Sequence, residues 1–310
     1  MLVLRQMQTS NRRFGSADGL AIVAVVIWGS GISVSKIVID HIDVLAFLAI
    51  RGVCAALLLF VALVALGHNL RVKKTDVGSL ALLGVVGIGL THIGFLFGLK
   101  FTLASHGSVL VAMGPVFAAL MATWVGWEKT HAMTWCGFGV CLVGIWLLVR
   151  GGQADLDIRI LLGDLCLLGS ALCWAVHILI GKRLLLIYSP LKVLAYATAF
   201  SNFVVLPIGI RSVVTQNWKI VTLEGWFGLV FTVLLSLVVA NLLWLKSIKE
   251  IGVTRTALYQ YLVPVVGVAM ALLLLKEHLT FHQATGAGVV LSGIALTVWS
   301  RTIRSLSQLQ

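Results

Sequence analysis

The sequence predicts an all-α polytopic membrane protein of ten transmembrane helices, arranged as two inverted five-helix repeats. Three observations predict it: a composition too apolar for a water-soluble fold, ten apolar runs of near bilayer-crossing length, and an internal duplication. Of 310 residues, 60% are hydrophobic and 11% charged, with a mean hydropathy of +1.05. Soluble domains carry about 45–50% apolar and roughly 25% charged residues. So few polar side chains cannot cover a water-facing surface, which leaves the bilayer as solvent and lipid as an obligatory partner.

A helix crossing ~30 Å of hydrocarbon needs about 20 apolar residues. Runs of this kind fall at 18–38, 44–66, 77–99, 106–127, 133–150, 161–181, 190–211, 223–245, 254–275 and 281–300. The fifth is short and the seventh contains Pro207, but no long apolar run is left over. Arg5, Arg12 and Arg13 precede the first run as in a secretion signal, yet the run continues to Ile39 with no small-x-small cleavage site. A retained first helix is therefore expected.

Loop charge sets the orientation. With the N-terminus cytoplasmic, fifteen of the 23 Lys and Arg residues lie on that side and six opposite, leaving Lys36 and Arg51 within the spans. The positive-inside rule then puts both termini in the cytoplasm of a multi-pass inner-membrane protein. The net charge of +12 sits in short clusters between apolar runs. Nucleic acid needs a wet basic groove, so it is not an expected partner. Cys54, Cys136, Cys141, Cys166 and Cys173 all fall in apolar runs, without C-x-x-C or zinc-ligand spacing. They read as buried reduced thiols, and neither a metal nor a cofactor is expected.

Setting residue n against n+146, then n+149 after a three-residue shift, exposes the duplication. Trp28 meets Trp174, Lys36 meets Lys182, and Leu99 with Lys100 meets Leu245 with Lys246. At the second offset Pro115 meets Pro264, Glu128 meets Glu277, and Gly137, Gly139 and Gly144 meet Gly286, Gly288 and Gly293. Two of only four prolines thus fall at equivalent places. The expected organisation is a tail at 1–17, a first repeat at 18–150, a second at 161–300 and a tail at 301–310. Five spans per copy is odd, so the copies insert with opposite orientation, as in secondary transporters that handle substrate near the midplane.

These residues resemble the drug/metabolite transporter superfamily, specifically its tandem EamA-domain proteins. The likeness rests on WGSGISVSK from Trp28 to Lys36, Arg51, LKFTLASHGS from Leu99 to Ser108, Gly114 with Pro115, Glu128, and CGFGVCLVGI from Cys136 to Ile145. The second copy supplies Leu245 with Lys246, Pro264, Glu277 and GAGVVLSGI from Gly286 to Ile294. The resemblance covers residues 18 to 300 and implies a transporter fold. The sequence departs from the family pattern at Trp127 and Lys276, each before a glutamate where the family more often has glycine, and at Thr198, near the counterpart of Arg51.

Ionisable groups within a bilayer ask for a reason. Lys36 and Arg51 admit two: snorkelling from the outer helix ends, Lys36 with Asp40 as its i,i+4 partner, or facing a cavity to attract a carboxylate. Ser30, Ser33 and Lys36 form a polar stripe on the first helix, suited to close packing or to cavity lining. His92, His177, Asn241, Tyr259 and Gln260 are candidates for contacting substrate, with interhelical hydrogen bonding the alternative. Trp28 and Trp174 lie some ten residues into their spans, where an aromatic pair could stack on a planar or cationic solute or simply pack. Pro264 should free the carbonyl of Gln260, and Pro115 that of Val111, making a pair of kinks suited to gating. The glycines of the fifth and tenth helices read as close-packing positions.

Together these residues favour a secondary transporter, an exporter of an amino acid or drug-like solute by alternating access. There is no Walker A stretch for ATP drive. No carboxylate is expected mid-span, so proton coupling, facilitated diffusion and exchange stay open, as does a homodimer. A structural or receptor-type membrane protein and an intramembrane enzyme are the alternatives. The enzyme lacks a zinc motif such as H-E-x-x-H, and a receptor would carry a larger soluble part.

Overall fold

The computed structural model describes residues 15–126, 132–150, 157–252, 256 and 259–307. Among them lie ten helices and no strand. They are α1 (Ser16–His41), α2 (Val44–Ala65), α3 (Lys74–Phe101), α4 (Ala104–Trp124), α5 (Ala132–Arg150), α6 (Ile158–Leu184), α7 (Pro190–Thr215), α8 (Leu223–Ile251), α9 (Leu262–Leu274) and α10 (Phe281–Ser307). A short 3₁₀ turn at Trp218–Ile220 precedes α8. Seven helices, α1 to α4 and α6 to α8, are long and apolar enough to cross a membrane; α5, α9 and α10 contain shorter apolar stretches. Arg5, Arg12 and Arg13, as well as Trp127, Glu128, Lys129, Asp155 and Arg255, lie outside the described residues.

Local chemistry starts the helices. Asp43 accepts from the Leu45 and Ala46 N–H groups, Asp157 from Arg159, Ser189 from Lys192 and Thr222 from Gly225. These short acceptors satisfy N–H groups that a helix start leaves without partners. The ninth span, expected from 254, is interrupted: Thr256 and Tyr259 are helical, Gln260 and Tyr261 form a turn, and α9 starts at Leu262. Pro264 has no N–H to give the Gln260 carbonyl, and Val263 N donates to it instead at 3.0 Å, closing a tight turn. The carbonyl expected to be free is therefore occupied.

Packing follows the small residues. A Cβ added to Gly144 of α5 would come within 2.9 Å of the Gly286 carbonyl of α10, and one on Gly293 within 2.7 Å of the Gly137 carbonyl. Only glycine allows that approach, and the low-to-high pairing makes α5 and α10 antiparallel. In the same way α2 runs antiparallel to α7, where Asn202 Nδ2 donates to the Gly52 carbonyl at 3.1 Å. α3 packs antiparallel to α6 and α1 antiparallel to α8, while α4 meets α9 where Gly267 abuts Ser108. Exchange each helix of the first five with its counterpart five further on, and this set of partners maps onto itself.

The outer surface is apolar: Phe203 is 74% exposed, Leu273 73% and Leu57 62%. Such side chains belong against hydrocarbon rather than water. All five cysteines are free, and Cys136, expected to be buried, is exposed on the outward side of α5 beside exposed Trp135.

Candidate functional site

Trp28 stands halfway along α1 and Trp174 beyond the middle of α6, and the two indoles meet edge to face with centroids 5.7 Å apart. Trp28 also contacts Trp244 of α8 at 5.1 Å. Beside this aromatic group lies a cavity of about 120 Å³, walled by α1, α2, α3, α4, α6, α8 and the turn before α9. That is several times the roughly 10–15 Å³ that a cavity needs to hold one water. Among the described residues no aspartate or glutamate lines it. Gly114 opens α4 to the tryptophan, since a Cβ there would sit 2.7 Å from Trp174 Cδ1.

Two walls are built from widened helix. α3 is π-helical at Val85–Leu90 and α8 at Phe231–Val239, and these stretches begin 146 residues apart, the repeat offset. Polar side chains bond the carbonyls of these wide turns. Thr91 Oγ1 donates to Val86 O at 3.3 Å, and Asn241 Nδ2 donates to Ser236 O at 3.2 Å and Leu237 O at 3.0 Å. Trp28 Nε1 donates to the same Ser236 carbonyl at 3.1 Å, fixing its ring across the α1–α8 seam. His92 Nδ1 lies 2.8 Å from Ile88 O. A carbonyl only accepts, so Nδ1 carries the proton and Nε2 of the neutral ring is left as an acceptor.

Of the residues singled out in the sequence, Trp28, His92, Trp174, Asn241 and Gln260 line this cavity together. Four others lie elsewhere. Ser33 is fully buried with its hydroxyl unpaired, because the face of α1 that meets the cavity is Trp28–Gly31–Ile32–Ser35 and not the Ser30–Ser33–Lys36 stripe. Lys36 Nζ donates to the carbonyls of Leu99 and Thr102, holding the end of α3. His177 stacks behind Trp174, with centroids 4.4 Å apart and planes 8° from parallel. Tyr259 reaches the end of the bundle, where its hydroxyl donates to Asp18 Oδ1 at 2.7 Å.

Pro115 and Pro264 each sit at the start of a helical segment just past an interruption. In α4 the break is marked by i→i+3 bonds from Ala112 N to Val109 O and Met113 N to Leu110 O. Proline suits a segment start because the N–H it lacks would have no partner there. Arg51, whose sequence reading was divided, faces the cavity; Ser35, Thr91, Phe95, Ser170 and Ser236 join it without having been singled out. Their signal in sequence is no more than a small or hydroxyl residue in an apolar run.

Both ends of the bundle are tied by a buried carboxylate. Asp18, in the first turn of α1, and Asp164, near the start of α6, are 146 residues apart and each 1% exposed. Asp164 accepts from Thr102 Oγ1 at 2.8 Å and faces His106 Nδ1 at 3.3 Å, while Gln283 Nε2 meets His106 Nε2 at 3.3 Å. Asp18 takes the Tyr259 hydroxyl and the Gly15 N–H. Ser247 Oγ of α8 donates to Ala17 O beside it at 2.9 Å.

This is a multi-pass membrane protein whose helices enclose a polar-flecked aromatic cavity. The family model for the EamA-like transporter family matches it twice, over residues 15–150 and 161–299. The chain belongs to that family, in the tandem arrangement of the drug/metabolite transporter superfamily. It is 26% identical to a Salmonella typhimurium protein named "Probable amino-acid metabolite efflux pump", over 93% of this chain and 96% of that one. It is 25% identical to the "Probable terminal-alkyne amino-acid exporter" of Streptantibioticus cattleyicolor, over 89% and 91%. The "Uncharacterized transporter YetK" of Bacillus subtilis is 23% identical over 93% and 88%. A protein of known crystal structure shares the fold with a TM-score of 0.63 and 16% identity, over 93% of this chain and 98% of its own.

Proposed function

We propose that the chain is a secondary transporter that exports a small metabolite across the inner membrane by alternating access between two inverted five-helix halves. The observation that carries this reading is the cavity beside Trp28 and Trp174, with repeat-related Asp18 and Asp164 tying helices at its opposite ends. A path that is bonded shut at one end and released at the other needs two such sets of ties. The self-mapping helix partners and the matched π segments support the inversion of the halves. The excess of Lys and Arg in alternate loops supports cytoplasmic termini, with the Asp164 end outside. The interruptions ahead of Pro115 and Pro264 are the places where α4 and α9 would bend between states. The names of the two relatives called an efflux pump and an exporter favour amino-acid metabolites as cargo.

The test is counterflow with the full chain in proteoliposomes, using a panel of anionic, neutral and cationic metabolites. At least one solute should exchange, and Trp174→Ala should cut its rate by about tenfold or more. If no solute of any charge class moves, the transporter reading falls.

A further inference from the structure

Arg51 lies seven residues into α2, about 10 Å from the helix start at 1.5 Å per residue. It is only 5% exposed, and it borders both the main cavity and a smaller adjoining one of about 10 Å³. Among the described residues no carboxylate pairs with it and no carbonyl or side chain accepts a hydrogen bond from it. The face of Phe47 lies 5.6 Å from the guanidinium carbon. The buried carboxylates are committed elsewhere: Asp18 and Asp164 at the two bundle ends, and Asp76 to Tyr188. A guanidinium held in low dielectric without a counter-charge is costly, and it persists where something else supplies the charge.

We infer that the cavity takes a small organic carboxylate and that Arg51 is the residue requiring it, an inference that rests on the transporter reading above. A guanidinium fork matches a carboxylate through two parallel N–H···O bonds. The space, about 120 Å³, suits a small solute. Trp28, Trp174 and Phe95 offer the solute body an aromatic wall. Two side chains with acceptor atoms border the same space: His92, and Gln260, whose Oε1 is buried without a hydrogen-bond partner among the described residues. They admit an amino group on the solute without supplying a negative charge to hold a cation. With Arg51 present and no acid in the lining, a cationic drug lacking a carboxylate is disfavoured.

The probes are phenylalanine, phenylalaninamide and phenethylamine, with leucine, leucinamide and isoamylamine as a smaller set. Each is tested by counterflow in proteoliposomes and by thermal shift of the purified chain. The acids should move and stabilise at least about tenfold better than their amides and amines. Arg51→Gln should erase that preference, while Arg51→Lys, which keeps the charge but loses the fork, should retain part of it; size-exclusion profiles establish that the variants fold. Amides or amines carried as well as the acids, or acids handled equally by Arg51→Gln, would overturn the inference and leave transport standing. Carboxylate-selective stabilisation lost in Arg51→Gln, without movement of any solute, would uphold it and overturn transport. If nothing binds or moves, both fall.

Discussion

Asp18 and Asp164 occupy equivalent positions in the two family units, yet among the described residues the two carboxylates are bonded to different partners. Around Asp164, Thr102, His106 and Gln283 form one connected chain of contacts, Lys36 holds the carbonyls of Leu99 and Thr102, and Glu277 accepts from the N–H groups of Ala104 and Ser105 at 2.8 and 3.1 Å. These bonds join α1, the α3–α4 turn, α6, the α9–α10 loop and α10. Around Asp18, the described residues supply Tyr259 and Ser247, joining α1 to the start of α9 and to α8. A net hydrogen bond contributes about 0.5–1.5 kcal/mol, so what each end loses with its carboxylate measures how firmly that carboxylate ties it.

The largest expected effect tests that asymmetry directly. Asp164→Asn keeps an amide oxygen for Thr102 but removes the carboxylate that faces buried His106 Nδ1, and should cost about 2 kcal/mol, as weakening a buried hydrogen bond to a charged acceptor does. Asp18→Asn keeps an amide oxygen for Tyr259 and should cost about 1 kcal/mol. Chemical denaturation of the two variants in one detergent measures both. Equal losses would mean that the two carboxylates tie their ends alike.

Much of the architecture was legible because solvent dictates it. A chain with 60% hydrophobic residues in ten long runs can satisfy its backbone in lipid only as helices, and repeat-related tryptophans mark helices that meet at the centre. The cavity was legible where a polar side chain interrupts an apolar run, as with His92, Asn241 and Gln260. It was not legible where packing chooses the face. Ser33 and Ser35 look alike in sequence, but Gly31 against Ser236 sets the rotation of α1 and turns Ser35 to the cavity. Arg51 could not be assigned because one helix turn separates snorkelling from facing inward. The π segments are hidden in uniform apolar runs, and the Asp164 ties join residues 58 and 62 positions apart, with no local pattern to announce them.

A smaller effect sharpens the same comparison from one residue. Glu277 lies in the α9–α10 loop and places both carboxylate oxygens on the first N–H groups of α4. Two causes add: the cap satisfies donors that the helix leaves open, and negative charge suits the positive end of the helix dipole. Glu277→Gln keeps one acceptor and loses the charge, so it should cost about 1 kcal/mol, and Glu277→Ala should cost more. If Glu277→Gln proved as damaging as Asp164→Asn, the loop cap rather than the buried His106–Asp164 pair would be what holds that end.

The smallest effect concerns a peripheral tie at the Asp18 end. Tyr188, in the loop between α6 and α7, donates its hydroxyl to Asp76 Oδ2 at 2.6 Å and accepts the Lys73 N–H at 3.1 Å. The hydrogen bond to the Asp76 carboxylate raises the Tyr188 phenol above its ordinary value, since ionising it would set two negative charges face to face. The sign follows from that direction. The tie is fully present below the ordinary tyrosine pKa of about 10 and is lost as pH climbs through the raised value in the folded protein. Tyr188→Phe should therefore lower the melting temperature slightly, and by the same amount at pH 6 and pH 9, with the gap to the wild type closing only in stronger alkali. A gap that changed between pH 6 and pH 9 would show that another titrating group, rather than the Tyr188–Asp76 bond, governs this loop.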